Sequence, residues 1–352
     1  MEKNIVLGFT TGDINGIGLE VFLKTIQDNR VMKKCIPVIF GSAKVISYHR
    51  KAAGVGHLNF NNIKDPSQAK MGKLNICSAW DEEVKINLGE ANVTGGEYAK
   101  KSLEEATKAL VENKIDGLIT LPINKEVITQ AGFEFPGHTE YIENAAGDGD
   151  ALMLMVSEKL RIGVVTGHIP LDKVTETITK KKVLSRIKIL NQTLKQDFRI
   201  NRPKIAVLGL NPHAGDNGKI GSEDTERILP AVEEAKNQGI LAMGPYAADG
   251  FFGSGTYLKF DGVLAMYHDQ GLVPFKSLSF GKGVNFTAGL PIIRTSPDHG
   301  TAFELAGKKE ANPESFRETL FTTLDIISHR QEYQELTSNP MKANILEDDK
   351  SK

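Results

Sequence analysis

Cysteine is nearly absent from this 352-residue chain, with only Cys35 and Cys77, in unrelated contexts. Two isolated thiols make no disulfide framework and suit a reducing compartment, so a cytoplasmic location is expected. Long apolar runs are missing as well. None approaches the ~18 residues that a membrane span needs, and the first thirteen residues lead into a strand pattern without the apolar core of a secretory leader. An excess of charge of either sign is also missing. Against 44 Asp and Glu stand 43 Lys and Arg, a formal net charge of -1, which removes any global drive toward nucleic acid or an anionic membrane surface. The local cluster Lys180-Lys181-Lys182 reads as a solvated helix face. Repeats and low-complexity tracts are absent, and the charged tail, residues 341–352, is expected to fray.

What remains is an ordinary globular composition, 40% apolar and 25% charged, long enough for two domains or one large one. Apolar runs alternate with helical patterns. Strands are expected at Ile5–Phe9, Ile36–Phe40, Gly117–Leu121, Arg161–Thr166, Lys204–Leu210, Leu241–Gly244 and Gly262–Tyr267. Several are continuously apolar, as strands buried on both faces are. Between them a helix is expected from Gly95 to Asn113, and a longer one from Leu171 to about Asp197, broken once. A third is capped by Ser222 and ends near Asn237. The alternation predicts an α/β fold with mostly parallel sheets, whose ligands sit beyond the carboxyl ends of the strands.

The first run is followed by TTGDINGIG, residues 10–18. Its glycines, Gly12, Gly16 and Gly18, lack the G-x-G-x-x-G spacing, and Lys24-Thr25 lie too far on for a phosphate loop of the Walker kind. A tight strand-to-helix turn walling a cleft is the reading left. Three histidines, His168, His213 and His268, each follow an expected strand. Three neutral imidazoles at the ends of parallel strands make a site for a divalent ion such as zinc, with a position open for substrate; any one alone reads as an ordinary loop or half-buried residue, and the coincidence of three favours the site. His138 and Thr139, after Pro136-Gly137, either open a helix whose start binds an anion or simply turn and cap. Lys276, Asn285 and Arg294 together suit a carboxylate or phosphate. Asp298-His299-Gly300 is expected to open a short helix that a dinucleotide could approach. Asp249, after a further strand, is the candidate proton acceptor or its orienter, or a capping or solvated Asp. Lys276 joins it as a candidate catalytic group.

LPINKE (121–126), PGHTEY (136–141), GHIPL (167–171), GLNPHAGDNGKIGSED (209–224), AMYHDQGL (265–272) and GLPIIRTSPDHGTAFELAG (289–307) occur in that order. With the first loop, they make the chain resemble the 4-hydroxythreonine-4-phosphate dehydrogenase family of pyridoxal phosphate (vitamin B6) biosynthesis. The resemblance implies a two-domain fold like that of isocitrate and isopropylmalate dehydrogenases. The first domain would hold residues 1–135 and about 285–352, the second about 136–284, with the active site in the cleft between them. It implies a homodimer with active sites at the subunit interface, NAD or NADP as cofactor, and one divalent metal per site: zinc first, then cobalt, magnesium or manganese. His168, His213 and His268 match the metal ligands, one of them coming from the neighbouring subunit. His138, Thr139, Lys276, Asn285 and Arg294 match the substrate-binding positions. The implied substrate is a small phosphorylated hydroxy amino acid. A 4-phospho-threonate or 4-phospho-erythronate sugar acid is the alternative, and an inactive metal- or phosphate-binding relative on the same scaffold is the rival of another class. The chain departs from the family at Ile14-Asn15, where Pro-Ala is usual, and at Leu19, where Pro is usual.

Overall fold

The computed structural model describes residues 4–339 apart from 148 and 280, so the tail expected to fray lies outside the described residues. Twelve strands among them form one sheet. They are β1 (Val6–Thr10), β2 (Ile36–Gly41), β3 (Phe60–Ile63), β4 (Leu74–Ser78), β5 (Gly117–Ile119), β6 (Leu152–Val156), β7 (Arg161–Thr166), β8 (Lys204–Leu208), β9 (Leu241–Tyr246), β10 (Gly262–Tyr267), β11 (Val284–Ala288) and β12 (Arg294–Pro297). In space the order is β3-β4-β2-β1-β5-β12-β11-β6-β7-β10-β8-β9. Pairing is parallel except at three consecutive junctions, β12–β11, β11–β6 and β6–β7. Three reversals leave the two parallel halves pointing in opposite senses. The mostly parallel α/β fold expected from the sequence is therefore present. β1, β2, β8 and β10 are buried along nearly their whole length, which is why they read as unbroken apolar runs.

The helices follow from their caps. Asn92 accepts a hydrogen bond from Gly95 N at 2.9 Å and starts the helix Val93–Val111, which buries Leu103, Ala106 and Leu110. The stretch expected to break once does so where Thr179 accepts from Lys182 N and opens a new helix, Lys180–Gln196, after Leu171–Thr177. Two expectations are corrected. The side chain of Ser222 caps nothing, although its carbonyl accepts from Thr225 N and Glu226 N. A wide π turn, Asp224–Ile228, precedes the helix Leu229–Asn237; Pro230 brings no N–H to close an ordinary first turn. Residues 298–302 do not open a helix, because the Thr301 carbonyl accepts from Ile17 N at 3.0 Å and Ala302 is left-handed at φ 41°. Only a short 3-10 turn, Phe303–Leu305, follows.

A 25-residue helix, Glu314–Ser338, ties the chain together. Its Phe316 packs on Phe9 and Phe22 with ring centroids 6.0 and 5.9 Å away. Its Arg330 donates to both carboxylate oxygens of buried Asp197 and to the carbonyls of Leu290 and Pro291. No helix among the described residues is long and apolar enough to cross a membrane.

Candidate active site

Where the strand direction changes, β5, β12, β11 and β6 lie side by side, and a cavity of about 210 Å³ opens over them. Alternation along the strands decides what faces it. Arg294 and Ser296 of β12 and Asn285 of β11 line it, while Thr295 turns the other way to bond Thr323 of the long helix. Thr120 just past β5, Met153 of β6, Lys125, His168, His299 and Gly300 complete the walls with Gly137, His138, Thr139 and Glu140, the start of the helix His138–Ala146.

Arg294 is the dominant group. It is 2% exposed. Its Nε and Nη2 donate to Thr120 Oγ1 at 3.0 and 2.6 Å, and its Nη1 to Thr287 Oγ1 at 3.2 Å and Thr139 Oγ1 at 3.3 Å. Every one of these partners is a neutral hydroxyl. Burial pulls the guanidinium pKa down to about 10, with the Glu140 carboxylate opposing, so the group stays charged at neutral pH. A buried cation without a carboxylate in contact is costly unless an anion completes it. Burial, then the charges of Arg294 and Lys125, push the His138 pKa well below its ordinary value, which leaves a neutral ring. Three shielded atoms in this cavity, His138 Nε2, Asn285 Oδ1 and His299 Nε2, have no partner in the protein, as expected of groups that await a polar ligand.

The three histidines follow neighbouring parallel strands, β7, β10 and β8. His168 and His213 sit on loops, but His268, expected on a loop, opens the helix His268–Leu278 directly after β10. The rings of His168 and His268 lie 5.5 Å apart. His168 Nδ1 is 3.5 Å from Glu140 Oε1, and His268 Nδ1 is 2.7 Å from Asp269 Oδ1. A carboxylate on Nδ1 leaves Nε2 for a metal, the usual arrangement around zinc. The His168 ring holds the Glu140 carboxyl below its ordinary pKa against the effect of burial. His213 stands apart on a turn in which residues 213–217 are all left-handed, φ 42 to 79°. Among the described residues of one chain, no three His, Cys, Asp or Glu side chains are grouped to hold a metal.

Lys276 lies outside the cavity wall, 3.2 Å from Asp298. Asp249 is exposed in the first turn of the helix Ala248–Gly253, beyond the cavity of its own chain, and that helix packs against the His213 turn. Thr120, Thr287, Lys125 and Glu140 are the lining or supporting residues that sequence reasoning missed. Lys125 and Glu140 lay inside the LPINKE and PGHTEY motifs, which was the signal available for them; Thr120 and Thr287 had none of their own.

The glycine loop 10–18 is held between two neighbours. Asp13 N donates to Pro122 O and Ile17 N to Thr301 O, both at 3.0 Å. A Cβ on Gly12 would stand 2.5 Å from Pro122 O, and one on Gly16 2.8 Å from Thr301 O, so both contacts require glycine. Asn15, one of the departures from the family pattern, is fully buried; it accepts from Asn87 N and donates to Asn92. Asp13 is buried, with Oδ2 unpartnered, and burial raises its pKa to about 6, against the Asn15 N–H that lowers it. The folded state therefore holds this proton more tightly than the unfolded chain. The resulting stability is full below about pH 4 and lost as pH rises through about 6. Asp13→Asn should be more stable than the parent at pH 8, by up to ~3 kcal/mol, with the difference shrinking toward pH 4. Urea midpoints of both proteins at the two pH values check this, and a pH-independent difference would refute it.

The chain matches the family described as pyridoxal phosphate biosynthetic protein PdxA over residues 33–323. It is 47% identical to a 4-hydroxythreonine-4-phosphate dehydrogenase from Bacteroides thetaiotaomicron, covering 99% of this chain and 96% of the relative. A relative from Oceanobacillus iheyensis, named provisionally as a D-threonate 4-phosphate dehydrogenase, is 35% identical over 93% of this chain and 99% of its own length. The crystal structure of a 4-hydroxythreonine-4-phosphate dehydrogenase from Klebsiella pneumoniae superposes with TM-score 0.79 at 32% identity, covering 92% of this chain and 98% of the other. Isocitrate dehydrogenase from Methylococcus capsulatus shares the fold at TM-score 0.50 and 14% identity, over 94% and 88% of the two chains.

Proposed function

Because this chain belongs to the family of the 4-hydroxythreonine-4-phosphate dehydrogenases, we propose that it oxidises 4-phosphohydroxy-L-threonine at C3 with NAD or NADP. The carboxylate β to the new ketone then leaves as carbon dioxide, giving 3-amino-1-hydroxyacetone 1-phosphate in vitamin B6 synthesis. The observation that carries the proposal is Arg294, a fully buried cation whose contacts are all neutral hydroxyls and which faces the cavity. A doubly anionic substrate supplies the missing partner. In this reading Arg294, Thr139, His138 and Asn285 hold the substrate's anionic groups, and neutral His138 donates or accepts a hydrogen bond without adding charge. Lys276, 3.2 Å from Asp298, is the further candidate for binding the substrate's anions and for the chemistry.

When bound, a nicotinamide supplies the hydride acceptor and a divalent cation supplies Lewis-acid polarisation of the substrate oxygen. The residues suit both. His168 and His268 keep Nε2 free, and in our reading His213 of a second copy completes the set around zinc, or around cobalt, magnesium or manganese. Asp298, His299 and Gly300 would border the cofactor beside the 10–18 loop; His299 offers an unpartnered Nε2 and Gly300 faces open space. Asp249 travels with the His213 turn, so a subunit that lends His213 also lends its candidate proton acceptor. The proposed cleft division, residues 1–135 with about 285–352 against about 136–284, assigns Thr120 and Arg294 to one wall and His138, Met153 and His168 to the other.

A homodimer is supported by large apolar residues left exposed beside each histidine loop: Ile169 and Leu171 after His168, Ile220 after His213, Val273 after His268. Where such residues join into one patch, they mark an interface. Leu171→Glu should weaken the dimer at least ~10-fold, about 1.4 kcal/mol, and light scattering across a dilution series reads the change; an unaltered dimer would remove Leu171 from the interface.

The second reading, a 4-phospho-threonate or 4-phospho-erythronate dehydrogenase, draws support from the Oceanobacillus relative. These substrates differ from the first at C2, where a hydroxyl replaces the amine. Turnover of both classes by the purified protein decides. The proposal expects kcat/KM to favour the amino acid, and a preference for the hydroxy acid would replace it with the second reading.

A further inference from the structure

Two buried or half-buried polar side chains in the histidine motifs, Thr166 and Gln270, take no part in the chemistry above. β8 and β10 pair as far as Leu264 and Val207 and then part, β8 toward the His213 turn and β10 into the helix that His268 opens. Gln270 spans the gap. Its Oε1 accepts from Met266 N at 2.7 Å, and its Nε2 donates to the Gly209 carbonyl at 2.6 Å. The Met266 carbonyl in turn accepts from Thr166 Oγ1 at 2.8 Å. The series Gly209, Gln270, Met266, Thr166 thus crosses the ends of three adjacent strands, each just ahead of its histidine.

The loop that needs such an anchor most is the one bearing His213. Four of its five consecutive left-handed residues are not glycine, a conformation that persists only where the surroundings over-determine it. Buried Asp224 holds the next stretch, accepting from Leu210 N at 2.8 Å and Asn211 N at 3.1 Å. Gln270 fixes the residue before that stretch to Met266 of β10, two residues ahead of His268.

We propose that Gln270 and Thr166 are positioning residues that set the register of His168 against His268 in one site and of the His213 turn that the same chain lends to the second site, and thereby the affinity of both metal sites. This deepens the metal reading above and rests on it. Gln270→Met removes both bonds of the bridge at similar volume, Thr166→Val removes the hydroxyl, and Thr166→Ser keeps it. The probe is Co²⁺, titrated into metal-free full-length protein and followed by visible absorption, with melting temperatures alongside. Gln270→Met and Thr166→Val should bind Co²⁺ ~10–100-fold more weakly than the parent, and Thr166→Ser should stay close to it. A purely structural role would lower the melting temperature and leave the dissociation constant of the folded protein unchanged; that result overturns the proposal. Should Gln270→Met fail to fold, the valine and serine variants decide between themselves, and equal Co²⁺ affinities refute it. If the unsubstituted protein binds no Co²⁺, the metal reading falls and this proposal with it.

Discussion

Arg294→Ala is expected to lower kcat/KM for the phosphorylated substrate by ~10²–10³-fold, mostly through KM, while the protein stays folded. The guanidinium is buried against Thr120, Thr139 and Thr287. Among the described residues it meets no carboxylate in direct contact, so its removal breaks no buried ion pair there. What it loses is a charge-assisted bond to a ligand anion, ~2.7–4 kcal/mol at that fold-change. The melting temperature should move by no more than ~4 °C, since truncation leaves a polar, hydratable space rather than an orphaned charge. Arg294→Lys keeps the charge but not the planar fork and should fall between the two. An unchanged KM in a folded Arg294→Ala protein would remove this residue from the substrate site.

The second large effect concerns subunit sharing. His213→Ala and His268→Ala should each reduce metal-dependent turnover by ~10³-fold or more, because a three-imidazole site cannot lose a ligand and keep its geometry. Within one chain His213 does not join His168 and His268. If a second copy lends it, two inactive variants combined in one dimer leave one site with both substitutions and the other with neither. Mixing equal amounts through dissociation and reassociation should restore about a quarter of the parental activity, since half the dimers are mixed and each has one intact site. If all three ligands belonged to the same chain, mixing would restore nothing.

Much of this was legible in the sequence, and the misses have physical causes. β7 and β10 coincide with their expected ranges because both are buried, apolar and rich in branched residues. β3, as FNNI, and β4, as LNICS, are short, interrupted by Asn, and lie at the sheet edge. β6, as LMLMV, lies antiparallel in mid-sheet and carries no alternation to mark it. The helix Glu314–Ser338 has its stripe at Phe316, Leu320, Leu324 and Ile327, but hydroxyl residues dilute the signal. Thr319 bonds back to the Ser315 carbonyl at 2.8 Å, a habit of residues with weak helix preference. In the site, histidines and Arg294 stand out by type and motif. Thr120 and Thr287 do not, because threonine is common and its meeting with Arg294 depends on the order β5-β12-β11. The role of Gln270 likewise exists only where two strands part.

The central claim is an oxidation coupled to loss of carbon dioxide on a phosphorylated amino acid held by the Arg294 cavity. The most direct test incubates the metal-loaded protein with 4-phosphohydroxy-L-threonine and NAD or NADP, and counts reduced nicotinamide, carbon dioxide and 3-amino-1-hydroxyacetone 1-phosphate together. The account predicts one of each per substrate consumed. Reduced nicotinamide without carbon dioxide, or no reduction with either cofactor under any of the four metals, would contradict it.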